Sequence, residues 1–245
     1  MPFLQHYLET NLGIDRTIAE SLCNREVPAN NEYWKGRTSY LSQSPGYLFI
    51  PIILDLFLKN NLVQSVLSEL HLRLIEDILH SAARQEAQRI TDIQHHNACK
   101  TFLHRIGISD KEIHRVEQTL VNRPYSLFPT KFKSLQRANT YLYSAALFPN
   151  DYDLIFDCWE SVMPLFLFLD DLTDLPEDVT TQSENCLLDS ADIENNFFSL
   201  HPLMAESIKP LEKINDRLYQ ELNQLRQEAV AATLKGVLLS GNKHM

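Results

Sequence analysis

The chain has 245 residues, 44% of them apolar and 22% charged, which is the composition of a packed globular protein and not of a disordered one. A formal net charge of -10 sets the surface as a whole against nucleic acid and anionic membranes. Only 6 glycines are present and none falls in a phosphate-cradling pattern, so a Gly-rich nucleotide loop is excluded.

The N-terminal "MPFLQHYLET" lacks a basic stretch followed by an apolar one, so no secretory leader is expected. Breakers follow at Pro28 and at "SQSPG" 42–46. The segment "YLFIPIILDLF" has the β-branched content of a strand, but Pro51 in its middle argues against one. Residues 62–90 carry Leu67, Leu70, Leu74, Ile78 and Ala82 near the i, i+3, i+4 rhythm of a helix. After a break at "GISD" 107–110, Ser109 or Asp110 is placed to cap a helix starting near Lys111. Breaks at "NRPYSLFP" 122–129 and "FPND" 148–151 precede a long apolar helix over 151–175, kinked at Pro164. A polar stretch covers 176–195. Residues 210–239 close the chain with Leu211, Ile214, Leu218, Leu222 and Leu225 on one stripe and Pro210 in the first turn. There is no repeat and no linker, so a single all-helical domain of roughly eight to ten helices over 1–245 is expected. No apolar stretch is long enough to span a bilayer. Cys23, Cys99, Cys158 and Cys186 are scattered with no CxxC pair, which reads as buried thiols of a reducing compartment, and a cytoplasmic location is expected.

The chemistry concentrates in "LFLFLDDLTDLPED", residues 165–178. On a helix Asp170 and Asp174 share a face, and Asp171, Asp174 and Asp178 form a neighbouring stripe. Like charges at that spacing repel, and a helix C-terminus is the wrong end for anions. Hard oxygen donors in such a cluster suit Mg²⁺, which keeps several waters and bridges to substrate phosphates. The plainer reading is a solvated acidic helix end. The preceding run "MPLFLFL" looks buried all round, which sets the acids at the mouth of an apolar interior. That suits a ligand with a phosphate head and an apolar tail.

This motif resembles the second aspartate-rich motif of the trans-prenyl diphosphate synthases, in the class I isoprenoid synthase superfamily with its terpene cyclases and squalene/phytoene synthases. Only 71 residues follow Asp174 (245 minus 174), which suits a second motif better than a first. Upstream, "SPGYLFIPIILDLF" matches the family's G-K-R-x-R-P segment in the separation of Gly46 and Pro51, with Tyr47, Leu48 and Ile50 where basic residues are expected. "LRLIEDILHSAARQEAQR" resembles the first aspartate-rich motif. It keeps Glu76 and Asp77, with Ile78 and then His80 or Ser81 in place of the remaining aspartates, and Arg84 and Arg89 near the diphosphate-binding arginines. "RANTYLYSAALF" 137–148 is similar to the helix preceding the second motif.

The resemblance implies an all-helical bundle around a central apolar cavity and a Mg²⁺ cluster on a prenyl diphosphate substrate. Metal then falls to Asp170, Asp171, Asp174, Asp77 and Glu76, with Asp178 a further candidate, and diphosphate to Arg84 and Arg89. Asp77, Asp170, Asp171 and Asp174 are the implied catalytic set. The lost basic residues disfavour two-diphosphate elongation and favour Mg²⁺-dependent ionisation of one allylic prenyl diphosphate, as in terpene synthases. Chain elongation is an alternative, as is an inactive homologue acting as partner subunit of an active synthase. A homodimer or a heterodimer with a related synthase fits either.

Three further patterns carry less. "INDRLYQEL" 214–222 is similar to a terpene-cyclase metal motif, but Tyr219 and Asn223 hold the serine and glutamate places, so a polar helix face is preferred. His95, His96, Cys99 and His104 lack zinc spacing and read as helix surface. "EDILH" is not the Glu-x-x-His of a di-iron bundle and has no second copy.

Overall fold

The computed structural model describes residues 2–61, 67–122, 127–129 and 131–241. Among these the chain is all-helical, with no strand. The helices are α1 (Pro2–Thr10), α2 (Arg16–Cys23), α3 (Pro45–Lys59), α4 (Glu69–Glu86), α5 (Asp92–Arg105), α6 (Asp110–Asn122), α7 (Tyr152–Glu160), α8 (Met163–Thr181), α9 (Ile193–Ile208), α10 (Leu211–Ile214) and α11 (Asp216–Gly241). Two 3₁₀ segments, Lys133–Gln136 and Asn139–Leu147, lie between α6 and α7.

The apolar segment around Pro51 folds as α3, with Pro45 setting φ in its first turn. Pro51 removes one backbone donor inside the helix, which costs about 3 kcal/mol in an exposed helix. Every residue from Tyr47 to Phe57 is buried, and each large apolar side chain so buried returns about 1.5–3 kcal/mol. Burial on all sides therefore outweighs the proline.

The amphipathic stretch over 62–90 yields α4 only from Glu69, where Ser68 accepts the His71 N–H as its N-cap; 62–66 lie outside the described residues. Ser109 accepts the Glu112 N–H at 3.3 Å and so caps α6. The long helix expected over 151–175 divides into α7 and α8, because Pro164 sits in the first turn of α8 and starts a helix instead of kinking one. Pro210 likewise precedes the short α10, and the expected 210–239 helix breaks at Asn215, whose φ of -153° leaves the helical region.

Asn215 has a reason to interrupt. Its side-chain amide donates to the carbonyl oxygens of Leu12 (2.9 Å) and Gly13 (3.3 Å) and to the Asp55 carboxylate (3.1 Å), while its Oδ1 accepts from the Leu218 N–H. Asp55 is fully buried and also accepts from Lys59 (2.6 Å) and from the Asp15 N–H (2.8 Å). This clamp joins the α1–α2 turn, α3 and the start of α11. It also accounts for "INDRLYQEL" as structure: Asn215 fastens the chain and Leu218 and Leu222 enter the core.

The buried apolar side chains form one continuous cluster. Within it Tyr141 stacks on Trp159 (4.8 Å between centroids, 8° between planes), and Phe49 of α3 meets both edge-on. A niche between α6, the 139–147 segment and α7 holds only about 10 Å³. The larger space is an open cleft of about 490 Å³ beside the C-terminal half of α4.

Candidate functional site

The acidic residues of α8 lie in the middle of the helix, not at its end. The helix runs on through Pro176 to Gln182, whose left-handed φ of 57° terminates it. The dipole penalty expected of a C-terminus therefore falls on Glu177 and Asp178 and spares Asp170 and Asp171.

The four aspartates of the motif meet different surroundings. Asp171 is 1% exposed. Its carboxylate takes two bonds from Arg137, 2.7 Å to Oδ1 and 3.2 Å to Oδ2, and a third from the Cys186 N–H at 2.7 Å. A paired guanidinium fork and a backbone donor satisfy it without metal. Asp170 is exposed at the edge of the same arginine, 3.4 Å away. Its partly buried position raises its pKa; Arg137 offsets this, while Asp174, Asp171 and Glu86 add to it. Asp174 is exposed. Asp178 accepts from Asn185 Nδ2 at 2.8 Å, and the same amide reaches the Asp171 carbonyl at 2.9 Å.

Arg137 directly follows the 3₁₀ segment Lys133–Gln136 and donates to the Ser134 carbonyl. Burial works against its charge, and Asp171 and Asp170 overcome that, so its guanidinium is held above the ordinary value. Asp189 accepts from the Ser134 N–H and hydroxyl (3.0 and 2.8 Å), tying the loop after α8 to the same segment. Burial, reinforced by Asp171, pushes the Cys186 thiol up and keeps it protonated.

The α4 residues separate by helical phase. Glu76 turns inward to Arg25 (Nε to Oε1, 2.6 Å), and Arg25 also forks onto Glu69. Asp77 turns to α5 and pairs with Arg105. Arg84 is exposed, and Arg89 pairs with Glu32 at 2.8 Å. The α4 carboxylate that acts on Asp170 is instead Glu86, at the last position of the helix. The structure thus leaves Asp77 and Glu76 engaged with separate arginines, while Glu86 bears on Asp170 only through its charge. Among the described residues, no three His, Cys, Asp or Glu side chains converge closely enough to hold a metal ion.

Glu86 also lines the open cleft, with Tyr33, Tyr47, Ala83 and Ala87, and with the Glu32–Arg89 pair at its side. Tyr33 donates to the Gly46 carbonyl, and Tyr47 donates to the Tyr33 carbonyl at 2.8 Å. Burial raises the Tyr33 phenol, and Tyr47, Glu86 and Asp170 add to the rise against the opposing charge of Arg37.

The histidine group on α5 is structural. His95 is buried between Ser81 (2.8 Å) and Thr140 (3.0 Å), and His96 meets the Tyr143 hydroxyl at 3.0 Å. Thr140 and Tyr143 are eclipsed at i, i+3 on the 3₁₀ segment, so both turn to α5.

Arg137, Glu86, Tyr33 and Asn185 were not singled out in the sequence. The one signal for Arg137 is general: a buried carboxylate needs a cation, and the acidic motif has none within a helical turn. No helix among the described residues is long and apolar enough to cross a membrane. No family model, no curated protein and no solved structure matches the chain.

Proposed function

We propose that the chain is a helical protein of the isoprenoid-synthase type that does not itself ionise a prenyl diphosphate and serves as a partner subunit of an active relative. The observation that carries this reading is the Asp171 carboxylate, the centre of the acidic motif, held by both arms of Arg137 and by the Cys186 N–H. Glu76 and Asp77 are likewise committed to Arg25 and Arg105. Releasing a buried carboxylate from such a pair to hold metal leaves a guanidinium without its counter-ion, a loss of about 3–5 kcal/mol.

One observation favours a second reading, Mg²⁺-dependent ionisation of an allylic prenyl diphosphate. Asp170 and Asp174 are exposed one turn apart on α8, and Glu86 acts on Asp170 from α4. Asp170 and Asp174 carry hard-oxygen donors of the kind Mg²⁺ takes, with water filling the remaining places; among the described residues no third acidic side chain converges on them, and Asp171 and Glu76 do not fit, being already paired. Bound there, Mg²⁺ supplies the charge that a departing diphosphate needs. In this reading Arg89 leaves Glu32 to hold the diphosphate, Arg84 adds a second guanidinium, and the Arg137–Asp171 pair fixes the turn that presents Asp170.

Pyrophosphate release from a panel of C10 to C20 prenyl diphosphates with Mg²⁺ separates the two. The first reading expects no release above the blank, together with a stable complex on size exclusion with an active trans-prenyl diphosphate synthase of the same source. Release that Asp170→Asn abolishes would overturn it and establish the second.

A further inference from the structure

We infer that the connection over residues 24–44 is an acid-released strap, latched to α4 through His80. It links α2 to α3 without regular secondary structure, over 21 residues (44 minus 23). Beyond about 12–15 residues such a connection is uncommon in a compact domain, and is either functional or disordered. This one is ordered: Trp34 and Tyr40 are each 1% exposed and stack at 4.8 Å. Successive positions fasten it along α4. Arg25 donates to Glu76 at 2.6 Å and forks onto Glu69. The Asn31 side-chain amide donates to the Glu76 carbonyl at 2.9 Å. The Glu32 backbone N–H donates to His80 Nδ1 at 3.0 Å, and the Glu32 carboxylate takes Arg89 at 2.8 Å.

The His80 latch is the one that a proton opens. A backbone N–H can only donate, so the ring nitrogen it meets carries no proton, and the proton of neutral His80 sits on Nε2. An imidazolium has a donor at both nitrogens and would set N–H against N–H, which breaks the bond. Imidazoles take up that proton between about pH 5 and 8, and the half-buried ring of His80 is open to solvent. The guanidinium and amide donors of the other fasteners keep their protons throughout that range. Burial works to raise the Glu32 carboxyl, and Arg89 and then Lys35 overcome it and hold the group below the usual carboxylate range. The charges around His80 are Glu76, Asp77 and Arg84 one turn away on α4, Glu32 and Lys35 on the strap, and Arg89 past the helix end. The α5 helix meets α4 through His95 at Ser81 and Arg105 at Asp77, and the 139–147 segment beside them has only tyrosines to titrate. Burial and then His96 hold His95 down to about 4. Glu32 and Tyr33 form one wall of the open cleft and α4 the other. Acid therefore frees that wall, and with it the Tyr33–Trp34 pair, whose rings meet edge-on at 4.8 Å.

Amide hydrogen exchange of the full chain, measured at about pH 8 and about pH 5 and corrected for the intrinsic rate at each, tests this. The Glu32 amide is expected to lose about fivefold or more of its protection at the lower pH. In His80→Asn the side-chain oxygen takes the place of Nδ1 and accepts at either pH, so Glu32 should keep that protection. Any loss of global stability through His95 is common to both chains, and the difference between them at Glu32 reads the latch alone. His80→Leu, with no acceptor, should leave Glu32 about fivefold less protected than wild type already at pH 8. Equal protection of Glu32 at the two pH values in the wild-type chain, or an equal loss in wild type and His80→Asn, would overturn the proposal. If His80→Asn fails to fold, His80→Leu decides, and wild-type protection of Glu32 in that variant at pH 8 would overturn the proposal as well.

Discussion

Asp171 and Asp174 sit three residues apart in one motif and differ in everything that determines what a carboxylate does. Asp171 is enclosed with three donors on it, and Asp174 stands in water. Asp171→Asn should therefore destabilise the fold by about 2–4 kcal/mol, since Arg137 loses its counter-charge in a site where only 22% of its side chain reaches solvent. Asp174→Asn should change stability by less than about 0.5 kcal/mol. Urea denaturation in metal-free buffer measures both, and an unchanged midpoint for Asp171→Asn would refute the structural role given to that carboxylate. His95 makes a prediction in pH. Burial and the neighbouring His96 push its pKa from the ordinary 6.5 down to about 4, against a smaller opposing effect of Asp92. Below 6.5 the unfolded chain binds a proton that the folded chain refuses. Stability should fall as pH drops from about 6.5 to about 4, by up to about 3 kcal/mol, and stop falling from this source below that. His95→Gln should flatten that segment of a stability–pH curve.

At the level of elements, the junctions carry more constraint than the helices they join. Gly13 adopts φ +61°, and a Cβ there would stand 2.6 Å from Asn215 Oδ1. Gly13→Ala should lower stability by about 1–3 kcal/mol, visible as a drop in melting temperature, because it meets both backbone strain and the clamp. How far the elements were legible follows from where their causes lie. The stripe of Leu74 and Ile78, the cap at Ser109 and the apolar run before Asp170 are local; they mark α4, α6 and α8 as helical and place the start of α6 to within a residue, whereas α4 and α8 begin well inside the stretches expected. The division of 151–175 was missed because a proline reads alike as a kink or as a first turn until the chain before it is seen to bend. The 139–147 segment is 3₁₀ through nine residues for reasons outside it, namely the Trp159 ring beneath Tyr141 and the two histidines of α5. The candidate site was half legible for the same reason. Its acids are contiguous in sequence, but Arg137, which determines the state of two of them, lies 33 and 34 residues away, and Glu86 comes from another helix.

Across the whole molecule, burial governs the thiols as it governs the aspartates. The four cysteines are free and buried, and burial raises Cys99 and Cys158 to about 12. Iodoacetamide at neutral pH should modify the native protein at least about a hundredfold more slowly than the urea-unfolded chain; prompt native labelling of any of the four would show that its enclosure opens readily. The clamp at Asn215 reaches further than stability. Its bond to the Leu12 carbonyl closes a separation of 203 residues, and closing a loop of that length is entropically among the last events open to a folding chain. During synthesis from the N-terminus, the buried Asp55 of α3 has its Lys59 and Asp15 donors, but the amide of Asn215 has yet to be made. A nascent chain halted short of residue 215 should therefore keep α3 exposed to protease and to chaperones, and acquire resistance abruptly, not gradually, once that asparagine has left the ribosome.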